Sequence, residues 1–201
     1  MSARKRSDNK PHSGSSQIRI IGGQWRSRKL SFPVLEGLRP TPDRVRETLF
    51  NWLQSTIPGA RCLDLFAGSG ALGLEALSRG AQSCTFIDMA SPSCQTLREN
   101  LKTLDAQGAQ VVQSDAVQWL QRLPDASENT NSASFDVVFI DPPFNQDLCD
   151  KICQLLVDKG IVSERGFIYI ETEPRAQLMN HWPLHREKTN GQVRYRLFQA
   201  K

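Results

Sequence analysis

From residue 61 onward, short apolar runs alternate with longer segments whose hydrophobic positions follow helical spacing. The short runs predict strands and the longer segments predict amphipathic helices. The predicted strands are RCLDLF, SCTFID, AQVVQ, FDVVFID and FIYIET, and the predicted helices cover 71–79, 91–104, 116–123 and 148–159. Regular alternation of strand and helix predicts an α/β fold with a doubly wound, mostly parallel sheet. The last segment, 185–199, turns at Asn190-Gly191 and predicts a C-terminal antiparallel hairpin.

The first 40 residues have a different pattern. Residues 1–16 are polar and charged, which predicts a disordered basic tail. Gly22-Gly23 stands between two short extended runs and predicts a hairpin with a two-residue turn. We therefore assign residues 17–40 to an N-terminal β-hairpin extension and residues 41–201 to the main domain.

A helix is predicted directly after this extension. Thr41 is a candidate N-cap and Pro42 suits the first helical position. The apolar positions that share one face are Val45, Leu49, Trp52 and Leu53. Arg44 and Arg46 lie at opposite margins of that face, where they either point along the edge of the body or are plain solvated charges.

Composition excludes several classes of protein. With 201 residues and 39% hydrophobic content, the chain can form one sizeable core. No apolar run approaches the roughly 18 residues of a membrane span, and the N-terminus lacks the apolar stretch of a secretory signal. Five cysteines without a CxxC pair argue against a disulfide framework and against a zinc site. We expect a cytoplasmic protein without membrane association or metal.

The net charge of +4 is unevenly distributed. Residues 1–48 carry 11 Lys/Arg against 4 Asp/Glu, whereas the remainder is slightly acidic. A basic front end predicts a separate surface for a polyanion. Trp25 stands among Arg26, Arg28 and Lys29, where it either stacks on nucleic-acid bases or anchors the hairpin to the body.

The first strand, turn and helix of the alternation contain a candidate cofactor site. Residues 68–73 fit G-x-G-x-x-G, and Asp88 ends the next strand 18 residues after Gly70, which is typical of a site for a nucleoside-bearing cofactor. Asp64, inside the first strand, would repel a pyrophosphate but attract a cation. S-adenosylmethionine therefore suits the acids better than a nicotinamide dinucleotide does. The candidate cofactor residues are Asp64, Ala67, Gly68, Gly70, Asp88, Met89, Asp115 and Ala116.

The fourth predicted strand ends in Asp141-Pro142-Pro143-Phe144. An exocyclic amine on a nucleobase is a poor nucleophile, because its lone pair is delocalised into the ring. The Asp141 carboxylate and the Pro142 carbonyl can accept its two N–H groups and free that lone pair. Phe144 can stack on a flipped base. The alternative is a rigid turn at a strand end, which accounts for the prolines but not for the acid and the aromatic ring.

Five sequence blocks together resemble the RsmD family: RIIGGQWRSRKL, LRPTPDRVRETLFNWL, CLDLFAGSGALGLEALSRGA, FIDPPF and LHREKTNGQVRYRLFQ. The resemblance implies a Rossmann-like class I methyltransferase that acts on N2 of guanine 966 in 16S rRNA. It also implies a 30S particle as substrate. Ribosomal proteins are further candidate partners, and we expect a monomeric enzyme. The family motif usually reads Arg-Pro-Thr-Thr, and Pro42 stands at its last position here. The candidate RNA-binding residues are Arg19, Trp25, Arg26, Arg28, Lys29, Arg39, Thr41, Arg44, Arg46 and Arg194.

The residues alone leave other substrates and another class of protein open. The same acids would serve an N-methyltransferase that acts on adenine in DNA or in another RNA, or on a side-chain amide. A non-catalytic RNA-binding module that kept a vestigial nucleotide fold is the alternative from a different class. The four acids Asp64, Asp88, Asp115 and Asp141 argue against it, since an inactive module has no need of them.

Overall fold

The computed structural model describes residues 15–35, 40–125, 134–143, 148–179 and 181–201. The strands within these residues are β1 Ser15–Arg19, β2 Lys29–Pro33, β3 Arg61–Asp64, β4 Ser83–Asp88, β5 Ala109–Gln113, β6 Phe135–Ile140, β7 Val162–Thr172, β8 Leu184–Asn190 and β9 Val193–Gln199. The helices are α1 Asp43–Trp52, α2 Ala71–Ser78, α3 Ser91–Thr103, α4 Ala116–Gln121 and α5 Leu148–Lys159.

Seven strands form one sheet in the order β5-β4-β3-β6-β7-β9-β8. Strands β3 to β7 pair in parallel, and β9 is antiparallel to both β7 and β8. The predicted doubly wound, mostly parallel sheet with a C-terminal hairpin is confirmed. Since β4 and β5 lie on one side of β3 and β6 lies on the other, the strand order reverses between β3 and β6. Ligands bind at such a reversal, outside the carboxyl ends of the strands.

Apolar residues on successive strand positions face opposite sides of the sheet. Cys62 and Val137 belong to a core shared with α1, α2, α3 and the β1–β2 hairpin. Leu63 and Val138 belong to a second core shared with α4 and α5. The central strands are therefore covered on both faces, as their continuous apolar runs predict.

The N-terminal hairpin is present, but its predicted turn is wrong. Beyond the β1–β2 ladder, Ile20 N–H donates to the Arg28 carbonyl over 2.9 Å and Ser27 N–H donates to the Ile20 carbonyl over 2.8 Å. The connection is therefore a longer loop and not a two-residue turn at Gly22-Gly23. Ser15 and Ser16 of β1 pair with Pro33 and Phe32 of β2, so the hairpin begins before residue 17. The predicted disorder of the rest of the tail lies outside the described residues.

Two local predictions shift by one residue. In the C-terminal hairpin, Asn190 pairs with Val193, so the turn residues are Gly191 and Gln192. At the start of α1, the N-cap is Pro42 and not Thr41. The Pro42 carbonyl accepts the first helical hydrogen bonds, and the Thr41 hydroxyl points elsewhere. Among the residues that the structure describes, no helix has the length and apolar character needed to cross a bilayer.

Candidate active site

Four carboxylates lie along the carboxyl edge of four neighbouring strands. Asp64 ends β3, Asp88 ends β4, Asp115 follows β5 by two residues, and Asp141 follows β6 directly. The parallel register of these strands brings their ends to one edge of the sheet. The sheet thus gathers acids that are up to 77 positions apart in the sequence.

The glycine-rich turn between β3 and α2 is tied to the end of β4. Gly68 and Gly70 have φ values of 50° and 78°, in the left-handed region that favours glycine. Gly68 N–H donates to Oδ2 of Asp88 over 2.7 Å, and Ala90 N–H donates to Oδ1 over 2.7 Å. Because each carboxylate oxygen has two lone pairs, Asp88 can still accept hydroxyl groups from a ligand.

Two other candidate cofactor residues flank Asp88. Ala67 is buried, and its N–H donates to the Ile87 carbonyl over 2.9 Å, which holds the glycine-rich turn against β4. The Met89 side chain is 72% exposed and follows Asp88 at the open edge of the sheet. Met89 thus adds an exposed apolar side chain next to Asp88.

Asp64 is only 1% exposed and lies beneath the first turn of α2. Its Oδ2 accepts the Gly73 N–H over 3.1 Å. Burial raises the pKa of Asp64 to about 7, and the nearby Asp141 and Asp88 charges add to the increase. The carboxyl group therefore changes its charge close to neutral pH.

Asp115 forms the N-cap of α4. Its Oδ1 accepts the Gln118 N–H over 2.9 Å, which fixes the side chain at the edge of the sheet. Ala116 is buried directly behind it. The remaining lone pairs of the Asp115 carboxylate can accept a ligand amino group.

Asp141 accepts a side-chain hydrogen bond from the segment that precedes α1. The Thr41 hydroxyl donates to Oδ2 of Asp141 over 3.2 Å. Burial raises the pKa of Asp141 to about 6, and the Thr41 hydrogen bond opposes that increase. Pro142 is buried, and Phe144 lies outside the described residues.

Glu171 is a further acid at this edge that the sequence analysis missed. It lies in β7, beside the end of β6, and its Oε1 accepts the Tyr169 hydroxyl over 2.7 Å. Burial raises the pKa of Glu171 well above its usual range, and the Asp141 charge adds to the effect. The signal that could have identified Glu171 is an acid within the apolar run FIYIET, and the same signal identified Asp64 in RCLDLF.

Arg46 is buried, and its guanidinium is not exposed for the predicted contact with RNA. Its side chain is 1% exposed. One Nη2 hydrogen bond goes to Oδ1 of Asp43 over 2.6 Å and another to the Arg19 carbonyl over 2.9 Å, while Nη1 lies 3.5 Å from Oε2 of Glu75. The prediction failed because Glu75, within the otherwise apolar α2, supplies a buried opposite charge.

Trp25 is 9% exposed and packs in the core that the hairpin shares with α1 to α3. Its predicted stacking on RNA bases is therefore wrong. The alternative, that Trp25 anchors the hairpin to the rest of the protein, describes it. Its backbone N–H donates to Oγ of Ser78 over 3.0 Å. Glu75 accepts the N–H groups of Ile21 and Gly22, each over 2.8 Å. Sequence analysis missed Glu75 and Ser78 as docking residues.

The other candidate RNA-binding residues differ in their surroundings. Four are exposed basic side chains of the N-terminal region: Arg26, Arg28, Lys29 and Arg44. Arg19 and Arg194 are paired with Asp43 and Glu187 over 3.1 and 2.6 Å. Thr41 is 5% exposed, which contradicts its predicted contact with RNA, and Arg39 lies outside the described residues.

We searched the described part of the chain for two further kinds of site, a metal site and a reactive thiol. It contains no group of His, Cys, Asp and Glu that could hold a metal ion. All five cysteines are buried free thiols. Burial raises the pKa of Cys149 to about 12, so this thiol stays protonated at neutral pH.

Comparison with known proteins places this site in a family. A family model described as "Conserved hypothetical protein 95" matches residues 18–199. Ribosomal RNA small subunit methyltransferase D of Escherichia coli K12 is 52% identical over 94% of this chain and 93% of its own length. The protein of the same name from Haemophilus influenzae is 44% identical over 91% and 94%. The chain belongs to the RsmD family. The resemblance predicted from the sequence blocks is thereby confirmed.

Solved structures share the fold of this chain. A putative methyltransferase of E. coli, yhhF, superposes with a TM-score of 0.80 at 50% identity, covering 92% of this chain and 99% of its own. A 16S rRNA N2 G1207 methyltransferase of Thermus thermophilus superposes with a TM-score of 0.70 at 19% identity, covering 94% of this chain and 50% of its own. The second likeness shows the fold alone, which is the predicted class I methyltransferase fold.

Proposed function

We propose that this member of the RsmD family transfers a methyl group from S-adenosylmethionine to the exocyclic N2 amine of a guanine in 16S rRNA of the 30S subunit. The observation that carries the proposal is the row of acids Asp64, Asp88, Asp115 and Asp141 at the edge where the strand order reverses. One chain supplies all four acids, so the proposed site needs no second subunit, and we propose a monomeric enzyme. Its relatives' names, which refer to ribosomal RNA, support a cytoplasmic location.

The acids at this edge of the sheet fit S-adenosylmethionine better than they fit a dinucleotide. In this proposal, Asp88 accepts hydrogen bonds from the ribose hydroxyls, Asp115 accepts one from the adenine amino group, and Asp64 attracts the cationic end. The N–H of Gly68 is already used by Asp88, and that of Gly73 by Asp64, so neither is free for a pyrophosphate. When bound, the cofactor supplies an electrophilic methyl group.

The residues after β6 act on the substrate amine. The Asp141 carboxylate and the Pro142 carbonyl accept its two N–H groups, which draws the nitrogen towards a tetrahedral geometry and frees its lone pair. Since the pKa of Asp141 is about 6, the side chain is mostly ionised at neutral pH. It can therefore take the proton that the nitrogen loses once it carries the methyl group. In this proposal Phe144 stacks on the flipped base.

A methyl-transfer assay tests the proposal. Radiolabelled S-adenosylmethionine is offered in parallel to 30S particles, free 16S rRNA and DNA, and the labelled nucleoside is identified. We expect N2-methylguanosine in the 30S particles. Label in DNA alone would contradict the ribosomal substrate, and label in none of the three would favour the RNA-binding module.

Asp141→Ala tests the assigned chemistry in the same assay. Because the carboxylate interacts most strongly when positive charge develops on nitrogen, methylation should slow by at least about 100-fold. The affinity for the cofactor and the melting temperature should change little. A variant that methylates at the wild-type rate, or that fails only because it unfolds, would assign Asp141-Pro142-Pro143 a purely structural role.

A further inference from the structure

Thr41 is a buried residue that the proposed chemistry does not yet use. Its hydroxyl reaches Oδ2 of Asp141, 100 positions further along the chain, over 3.2 Å. The contact joins the segment before α1 to the end of β6, where the carboxylate lies beyond the last β6–β7 pair, Ile140 and Ile170. The strand ladder therefore does not hold the Asp141 side chain, and Thr41 does.

The backbone of Thr41 is itself held in place. Arg46 Nε donates to the Thr41 carbonyl over 3.2 Å, and the Arg46 guanidinium is kept in the interior by Asp43 and Glu75. Pro42, the next residue, has its φ fixed at −57° and begins α1. The buried arginine and the proline together leave the Thr41 hydroxyl little freedom to turn away from Asp141.

We infer that Thr41 is a positioning residue, whose hydroxyl holds Oδ2 of Asp141 so that Oδ1 is presented to the substrate amine. A carboxylate held at one oxygen is preorganised for the transition state, and such preorganisation acts on turnover more than on binding. This inference rests on the proposed function, because the amine is the group that Asp141 must face.

The same hydrogen bond favours the ionised form of Asp141. It opposes the increase in pKa that burial causes, so its loss should raise the pKa of Asp141 further. The other titratable groups on which the Asp141 charge acts are Asp64 from β3, Glu171 and Tyr169 from β7, and Cys149 from α5. Glu171 also has a side-chain hydrogen bond with Thr41, which opposes the increase in its pKa. Thr41→Val therefore removes a contact of both acids, and the titration has to follow Asp141 and Glu171 separately.

Two substitutions at Thr41 and one matched control test the inference. Thr41→Val keeps the side-chain shape and removes the hydroxyl, whereas Thr41→Ser keeps the hydroxyl. Thr48→Val is the control, because the Thr48 hydroxyl donates to the Arg44 carbonyl over 3.0 Å within α1, away from Asp141. Single-turnover methylation of 30S particles is measured across a pH series that spans the pKa of Asp141, with cofactor affinity and thermal melts on the same preparations.

We expect Thr41→Val to slow methyl transfer about tenfold at neutral pH, with unchanged affinity for the cofactor and for 30S particles. Its rate should begin to fall at a higher pH than that of the wild type, because only the ionised Asp141 is active. Thr41→Ser should restore both the rate and the pH profile, and Thr48→Val should match the wild type. A Thr41→Val protein with the wild-type rate and pH profile would overturn the inference. So would a loss of rate that is equal at every pH and accompanied by a lower melting temperature.

A measurement without substrate separates this inference from the proposed function. The Asp141 carboxyl is titrated by carbon NMR in the wild type and in Thr41→Val. A higher pKa in the variant supports the contact, and an unchanged pKa overturns it. A wild-type enzyme that methylates no RNA would instead contradict the proposed function, and the titration would still decide whether Thr41 controls Asp141.

Discussion

At the scale of single residues, burial sets the charge of the acids at the sheet edge. Asp64 and Asp141 have pKa values of about 7 and about 6, and that of Glu171 is raised well above its usual range. Asp64 and Asp141 therefore change their charge close to neutral pH, and burial of Glu171 favours its protonated form. A cation bound beside Asp64 would favour its ionised form.

Cofactor affinity should therefore depend on pH through Asp64. Below a pKa of about 7 the carboxyl is protonated and neutral, so a cationic ligand should bind more weakly as pH falls, by up to about tenfold per pH unit. Above that pKa the affinity should level off. Calorimetric titration of S-adenosylmethionine on either side of neutral pH measures the effect.

Asp64→Asn should bind more weakly and lose this pH dependence, because the amide does not titrate. Asp136→Asn is the control, since Asp136 pairs with Arg61 at the opposite end of β6 and its pKa is lowered to about 2. This control should keep the wild-type dependence. A wild-type affinity that is constant across neutral pH would remove Asp64 from the cofactor site.

At the scale of elements, α2 carries the N-terminal hairpin. Every residue of this helix is buried, including Glu75 and Ser78. Ser78 Oγ donates to the Gly22 carbonyl over 2.6 Å, and the Ser78 carbonyl accepts the Gln24 N–H over 2.7 Å. The loop of the hairpin is thus held by hydrogen bonds to the side chain and the carbonyl of Ser78, the last residue of α2.

Gly23→Ala should disrupt this docking. Gly23 has a φ of 77°, and a Cβ atom there would lie 1.8 Å from the Ser78 carbonyl oxygen, a backbone atom that cannot rotate away. Gly59→Ala is the matched control, because Gly59 has a φ of 79° and nothing within 4 Å of its added Cβ. The control should lower the free energy of unfolding by about 1–2 kcal/mol through backbone strain alone. Gly23→Ala should lower it by at least about 1 kcal/mol more.

Urea denaturation of both variants measures the difference. Hydrogen exchange of the Ile21 and Gly22 amides, which donate to Glu75, shows whether the loop has separated from α2. Equal stability of the two variants, with protected amides in both, would mean that the hairpin does not depend on this close approach.

At the scale of the whole molecule, charge divides the surface. The exposed basic side chains Arg26, Arg28 and Lys29 extend from the hairpin and its loop, whereas residues 49–201 carry 14 Lys/Arg against 17 Asp/Glu. The buried Arg46 and Trp25 join this front end to the body. The hairpin therefore presents exposed positive charge from a base that packs into the core.

Replacing Arg26, Arg28 and Lys29 together with Gln should weaken RNA binding and reduce the slope of log K against log salt by about 2–3, since fewer counterions are released. The control replaces three exposed basic residues of the body, Lys102, Arg122 and Lys151, with Gln and so has the same net charge. It should retain most of the wild-type slope. Filter binding over a salt series decides, and an unchanged slope in the hairpin variant would make the hairpin a scaffold.

The sequence by itself determined the features that depend on neighbouring positions. Hydrophobic spacing located the strands and helices of the sheet. The position of each acid relative to its strand was readable from the sequence. Gly68 and Asp88 were found by their spacing alone. The five sequence blocks predicted the family.

Only the tertiary structure decided the roles of residues whose partners are distant in the sequence. Arg46 resembles a surface residue until Glu75, 29 positions away, is seen beside its buried guanidinium. Trp25 does so until Ser78, 53 positions away, is seen to accept its backbone N–H. Thr41 resembles a helix cap until Asp141 is seen to accept its hydroxyl, 100 positions away. Periodicity records whether a side chain faces the core, but a buried hydrogen bond or ion pair depends on a partner whose position is set only when the chain folds.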